Sequence, residues 1–162
     1  MIREARPGDA AAIAAIYNPY IEDTTVSFEE VAVSAGDMGG RIAAVQDGAL
    51  PWLVLELPDG AIAGYAYATA WRVRHAYRFS VETSVYLARG SERQGHGTAL
   101  YLALLERLRA RGCHLAIAGI AQPNDASVAL HEKLGYKKVA HFGEVGFKFG
   151  RWLDVGYWEL RL

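Results

Sequence analysis

A chain of 162 residues, 52% of them hydrophobic, is long enough for one buried core and short for two. The formal charge is -1, from 17 Lys and Arg against 18 Asp and Glu, and no basic run stands out, which excludes a broad phosphate-neutralising surface for nucleic acid. No segment approaches the roughly 20 apolar residues of a membrane span and the N-terminus has no long apolar stretch, so the sequence predicts a soluble, cytoplasmic protein without a membrane partner.

In chain order, a short apolar stretch at Ile2 is followed by a Pro7-Gly8 turn. Asp9 is then placed to cap a helix carrying Ile13, Ile16, Tyr17 and Tyr20 on one side, which Asn18-Pro19 should bend or end. After the polar TTVSFEE, a second helix is predicted from about Ser34 to Gln46, weakened by Gly39 and Gly40. PWLVLELPDGAIAGYAYATAW reads as two strands joined at Pro58-Asp59-Gly60. A further strand covers about Arg78 to Leu87. A loop leads from it to a helix whose stripe of Leu100, Ala103, Leu104, Arg107 and Leu108 faces the sheet, and Gly112 ends that helix. HLAIAGIA is β-like, Asn124-Asp125 opens a shorter helix stopped at Gly135, and two strands, about 137 to 149 and 152 to 161, close the chain. This order predicts an α/β (α+β) fold, a mixed sheet with helices on both faces, in one domain over residues 1–162.

The loop in VYLARGSERQGHGTALYLALLERL holds the first chemical signal. Backbone N–H groups of Gln94, Gly95, His96, Gly97 and Thr98 gather at the positive end of a helix, and the two glycines let a ligand approach the backbone. Such a cradle suits a pyrophosphate, and the same glycines would serve a plain strand-to-helix turn. A dinucleotide fingerprint needs a small residue where Leu100 stands, and a P-loop needs a lysine that Thr98-Ala99 does not supply. The single Cys113 excludes an internal disulfide and reads as a packing residue. The five His show no metal-ligand spacing, so no metal is expected.

ERQGHGTAL resembles the (Gln/Arg)-x-x-Gly-x-(Gly/Ala) loop of the GNAT N-acetyltransferases, with Glu92 standing where that family usually has Gln or Arg. IYNPYIEDTTVSFEE, VETSVYL, PNDASVALHEKLGY and GFKFGRWLDVGYWEL are similar to the phosphinothricin and methionine sulfoximine acetyltransferase subgroup, from Ile2 nearly to the C-terminus. The resemblance implies a mostly antiparallel sheet, acetyl-coenzyme A as co-substrate, no metal, and a homodimer with FGRWLDV near the subunit contact. It implies that Arg93, Gln94, Gly95, His96, Gly97, Thr98 and Ala99 hold the phosphates. Backbone groups of Val85, Tyr86 and Leu87 would meet the pantetheine arm and acetyl carbonyl, and Asn124, with Ser127, the pantetheine; Asn124 is equally a plain helix cap.

Acetyl transfer to an amine needs a base and a proton for the leaving thiolate. Glu82, mid-strand in a β-rich run, would have its pKa raised by burial; the residues alone leave open a base, an outward-facing group or an ion pair with Arg78. The resemblance implies the base, acting directly or through water. It likewise implies that His131, four residues before Gly135, protonates the sulfur, with Tyr136 in reserve; a half-buried packing histidine is the other reading. Arg72, Arg74 and Arg78 suit a carboxylate or oxyanion, or else line a charged edge, and Phe28 and Trp71 are implied as pocket walls. The expected activity is acetylation of a small amino acid or analogue of the phosphinothricin, methionine sulfoximine or methionine sulfone type. The rivals are another amine, such as a polyamine or a protein N-terminus, and a non-catalytic acetyl-coenzyme A sensor.

Overall fold

In the computed structural model, which describes all 162 residues, seven strands form one sheet: β1 (Ile2–Glu4), β2 (Trp52–Glu56), β3 (Ile62–Ala70), β4 (Ser80–Leu87), β5 (Leu115–Ala121), β6 (Lys137–Lys148) and β7 (Arg151–Arg161). Their spatial order is β1-β2-β3-β4-β5-β7-β6, antiparallel everywhere except between β4 and β5. Four helices, α1 (Ala10–Asp23), α2 (Ala35–Asp47), α3 (His96–Ala110) and α4 (Asp125–Lys133), complete the expected mixed architecture. None is long and apolar enough to cross a membrane.

The period-2 alternation of β2 shows why the sheet is covered twice. Leu53 and Leu55 bury against Leu100, Leu104 and Leu108 of α3, while Trp52 and Val54 bury against Ile13 and Tyr17 of α1 and Met38 and Ile42 of α2. The buried stripe of α3 is Leu100, Tyr101, Leu104, Leu105 and Leu108. It is turned from the sequence expectation, because Arg107 swings out to Glu4 at 2.7 Å.

Two local expectations are corrected. Asp9 starts α1 but makes no cap bond to it; its carboxylate accepts from Arg3 at 2.7 and 2.9 Å and from the Arg6 N–H at 2.7 Å. Pro19 does not end α1, which runs on to Asp23. The lost backbone bond is offset by tertiary anchors on both sides: Tyr17 and Ile21 are buried, and the Asn18 amide bonds both the N–H and the carbonyl of Val33, at 2.8 and 3.0 Å. α2 begins where expected, and Ser34 caps it, accepting from the Asp37 N–H at 3.1 Å.

The feature that positions the site is a fork. β4 and β5 pair only over Ser80–Glu82 with Leu115–Ile117, although β4 continues to Leu87 and β5 to Ala121. Beyond Glu82 the two strands part. β3 keeps hold of β4 as far as Leu87, and β7 keeps hold of β5 as far as Ala121, so the wedge stays open in mid-sheet.

Candidate active site

One cavity fills the fork. It is lined by Ser84, Val85 and Tyr86 of β4, by Gly119, Ile120 and Ala121 of β5, and by Asn124, Ser127 and His131 at the start and middle of α4. Asn124 caps α4, its Oδ1 accepting from the Ser127 N–H at 3.2 Å, so the cap uses the oxygen of an amide that also lines the cavity. The Leu87 carbonyl, at the end of β4, accepts from the Tyr20 hydroxyl at 2.8 Å.

Above the fork the chain turns into α3. Gly95 adopts φ +80°, a left-handed conformation that a β-branched residue resists, and a Cβ there would meet open space. The N–H groups of His96, Gly97 and Thr98 precede the first backbone bond of the helix, from the Ala99 N–H to the Gly95 carbonyl at 3.0 Å. They are donors at the positive end of the helix dipole, a fit for a pyrophosphate. Gly97 is buried, and a Cβ there would lie 3.4 Å from Leu130 and 3.7 Å from Leu87, within ordinary contact. Glu92 folds onto its own loop and accepts from the Gly90 N–H at 2.8 Å, while the Gln94 amide donates to the Gly90 carbonyl at 2.9 Å. Arg93 is exposed.

His131 is 4% exposed, with both ring nitrogens engaged. A carbonyl only accepts, so the 2.6 Å contact between Nδ1 and the Ser127 carbonyl places a proton on Nδ1. Nε2 then accepts from the Tyr101 hydroxyl at 2.7 Å. Tyr101 also lies 3.1 Å from Thr83 Oγ1, which lies 2.9 Å from the Tyr136 hydroxyl. Burial pushes the His131 pKa below its ordinary value, opposed by the Ser127 carbonyl, and lifts Tyr136 to about 12 and Tyr101 well above its usual value. At neutral pH this is a chain of neutral groups whose hydroxyl protons can turn. If Nε2 gains a proton, Tyr101 can accept from it and donate to Thr83 instead.

On the other side of the fork lies a second cavity of about 250 Å³, lined by Glu82, Val26, Phe28, Gly119, Ala121, Val145, Val155 and Tyr157. Val26, Gly119 and Ala121 are common to both cavities, so the two adjoin. Glu82 is half-buried and its carboxylate has no ion-pair partner within 4 Å; burial raises its pKa, and the Arg72 guanidinium pulls it back. Arg72 is exposed and lies 4.9 Å over the Trp71 ring, and Trp71 packs edge-on against Tyr157 at 5.9 Å. Trp71, Arg72, Arg74 and Arg78 line neither cavity. Arg78 stacks 4.4 Å over Phe79 and donates to the His75 carbonyl, and it is Arg72, not Arg78, whose charge reaches Glu82.

Residues 2–156 match the family model of the acetyltransferase (GNAT) domain. The chain belongs to the GNAT acetyltransferases. It is similar to the phosphinothricin N-acetyltransferase of Streptomyces viridochromogenes, 41% identical over 98% of this chain and 85% of that protein. It is 37% identical to the L-methionine sulfoximine/L-methionine sulfone acetyltransferase of Pseudomonas paraeruginosa, over 99% of this chain and 94% of the other. The crystal structure of a GNAT superfamily phosphinothricin acetyltransferase from Sinorhizobium meliloti in complex with acetyl-coenzyme A superimposes with a TM-score of 0.97 at 36% identity, covering 100% of this chain and 88% of that one. This GNAT enzyme is an N-acetyltransferase with acetyl-coenzyme A as its acetyl donor.

Several site residues of the acetyltransferase escape a reading of its sequence. Tyr101 and Thr83 look like core positions, and a buried hydroxyl, which must find a partner, is their only signal. Val26 and Tyr157 enter the cavity beside Glu82 through a loop and a distant strand, and no spacing in the sequence announces that.

Proposed function

We propose that the enzyme transfers the acetyl group to the amino group of a small amino acid or amino-acid analogue of the phosphinothricin and methionine sulfoximine type, with Glu82 as base. The observation that carries this reading is a half-buried carboxylate without an ion-pair partner, facing a cavity of about 250 Å³ that adjoins the fork. The names of the relatives point to the same class of acceptor. In this reading the fork, the amide of Asn124 and the first turn of α3 hold the donor, whose thioester supplies an activated acetyl group. Glu82 takes one proton from the substrate ammonium, directly or through a water, and frees the nitrogen lone pair. This reading assigns Arg72, whose charge reaches Glu82, to the acceptor's carboxylate or oxyanion. His131 sits across the fork with both ring nitrogens engaged, so in this reading its protonated form passes the Nε2 proton to the Tyr101 hydroxyl, which lines the same cavity and gives its own proton to the leaving thiolate. That transfer runs downhill because burial makes the cation a stronger acid than an ordinary histidine.

The enzyme acts, in the same reading, as a homodimer formed through the β6–β7 hairpin, where Phe142, Val145, Phe147, Phe149 and Trp152 are all more than half exposed. The activity test is thiol release from acetyl-coenzyme A across a panel of free amino acids, methionine sulfoximine, methionine sulfone, phosphinothricin and polyamines. Turnover confined to polyamines would overturn the substrate class, and binding of the donor without any thiol release would make the protein a sensor.

A further inference from the structure

The acceptor cavity has one wall with no regular structure of its own. Val26 and Phe28 both lie in the segment between Asp23 and Ala35, outside any helix or strand. A distant lysine holds that segment. Lys148, the last residue of β6, is 2% exposed, and its Nζ donates to the carbonyls of Ile21 at 2.7 Å, Thr24 at 2.8 Å and Ser27 at 2.6 Å. An ammonium has three N–H donors, and here each has a carbonyl. The first acceptor lies in the last turn of α1, the second just beyond it, and the third between the two wall residues. Two positions earlier on the same face of β6, Gly146 lies against Phe28, and a Cβ there would fall 2.3 Å from the ring. Tyr17 secures the far side through Ser27 Oγ at 2.7 Å.

We propose that Lys148, seconded by Gly146, is a positioning residue for the acceptor: the end of β6 sets where Val26 and Phe28 stand and so which amines fit beside Glu82. The inference rests on the reading that the cavity beside Glu82 takes the amine. Lys148 touches neither substrate. Its effect passes through three backbone carbonyls, and it should therefore appear in acceptor binding while sparing the donor.

The test is steady-state kinetics with amine and acetyl-coenzyme A varied separately. Lys148→Met keeps the length and bulk but offers no donor. It is expected to raise the Michaelis constant for the amine tenfold or more, with a smaller change in kcat and the constant for acetyl-coenzyme A within twofold of wild type. Lys148→Arg, which keeps a charged donor, should restore part of the loss. Gly146→Ala leaves the clamp and displaces the Phe28 ring, so the ranking of small against large acceptors should change. Wild-type amine constants in folded Lys148→Met, or an unchanged ranking in Gly146→Ala, would overturn the proposal. Should Lys148→Met not fold, the Arg and Ala variants decide. If Glu82→Gln leaves turnover intact, the acceptor reading itself has failed. If it abolishes turnover while Lys148→Met spares the amine constant, this inference alone falls.

Discussion

Replacing Glu82 by Gln removes the proposed base and almost nothing else. The carboxylate has no ion-pair partner to lose, the amide has nearly the same shape, and the donor cavity does not include the residue. Loss of a general base is worth about 10² to 10⁴-fold in rate, which is about 2.7 to 5.4 kcal/mol at 1.36 kcal/mol per decade. The assay is thiol release at saturating donor and amine, repeated across pH. The variant should be slower by that factor and should lose the acid limb that titration of Glu82 gives the wild type. A second, opposite signature accompanies it. Burial raises the pKa of folded Glu82 above its unfolded value, so the ionised side chain destabilises the fold at neutral pH, and this cost disappears as pH falls below the ordinary carboxylate range. Glu82→Gln should therefore melt higher than wild type at pH 7, with the gap closing in acid. Wild-type turnover and an unchanged pH profile would refute the base. A lower melting temperature at pH 7 would refute the desolvation argument beneath it.

Arg72→Ala removes the cation that lowers the Glu82 pKa, so the acid limb of kcat/KM should move to higher pH; an unmoved limb would show that the two charges do not communicate. His131 works on the opposite limb: its pKa lies below the ordinary histidine value, so kcat should fall with rising pH from below that value, and His131→Ala should lose this limb. Activity that rises steadily through the histidine range would leave the neutral ring a purely structural part. At Gly95, φ +80° with open space around the Cβ position means that Val costs conformation rather than contact, roughly 1 to 2 kcal/mol, and the Michaelis constant for acetyl-coenzyme A should rise about fivefold to thirtyfold. An unchanged constant would remove the loop from phosphate binding.

The elements that announce themselves by composition were legible: the Pro58-Asp59-Gly60 hairpin, the Ser34 start of α2 and the glycine-punctuated turn into α3 all lie where local chemistry puts them. Glu82 also stood out, because a carboxylate inside a β-rich run needs a reason. What sequence could not give depends on partners far along the chain. Pro19 reads as a helix end until Asn18 is seen bonded to Val33, and Arg78 reads as the ion-pair candidate until the chain turns it onto Phe79. The Tyr101–His131 contact spans 30 residues and that of Lys148 with Ile21 spans 127, and no periodicity encodes either distance. Four motifs in family order supplied what periodicity lacked, while Arg72, Arg74 and Arg78 lie outside them, in WRVRHAYRF.

The fork between β4 and β5 also links folding to metabolism. From Thr83 onward β4 ends its pairing with β5, an interruption in the middle of a sheet, where interrupted ladders are costly. A donor with amide groups along its arm can fill that interruption, and any ligand that binds only the folded state stabilises it by mass action. At a donor concentration 100 times its dissociation constant the gain is about 2.7 kcal/mol. For a chain of this size that corresponds to roughly 5 to 11 °C in melting temperature. The acetyl donor is then also a folding ligand, and a cell short of it would hold an enzyme that is not only idle but more exposed to proteolysis, so its abundance would follow the supply of its own substrate.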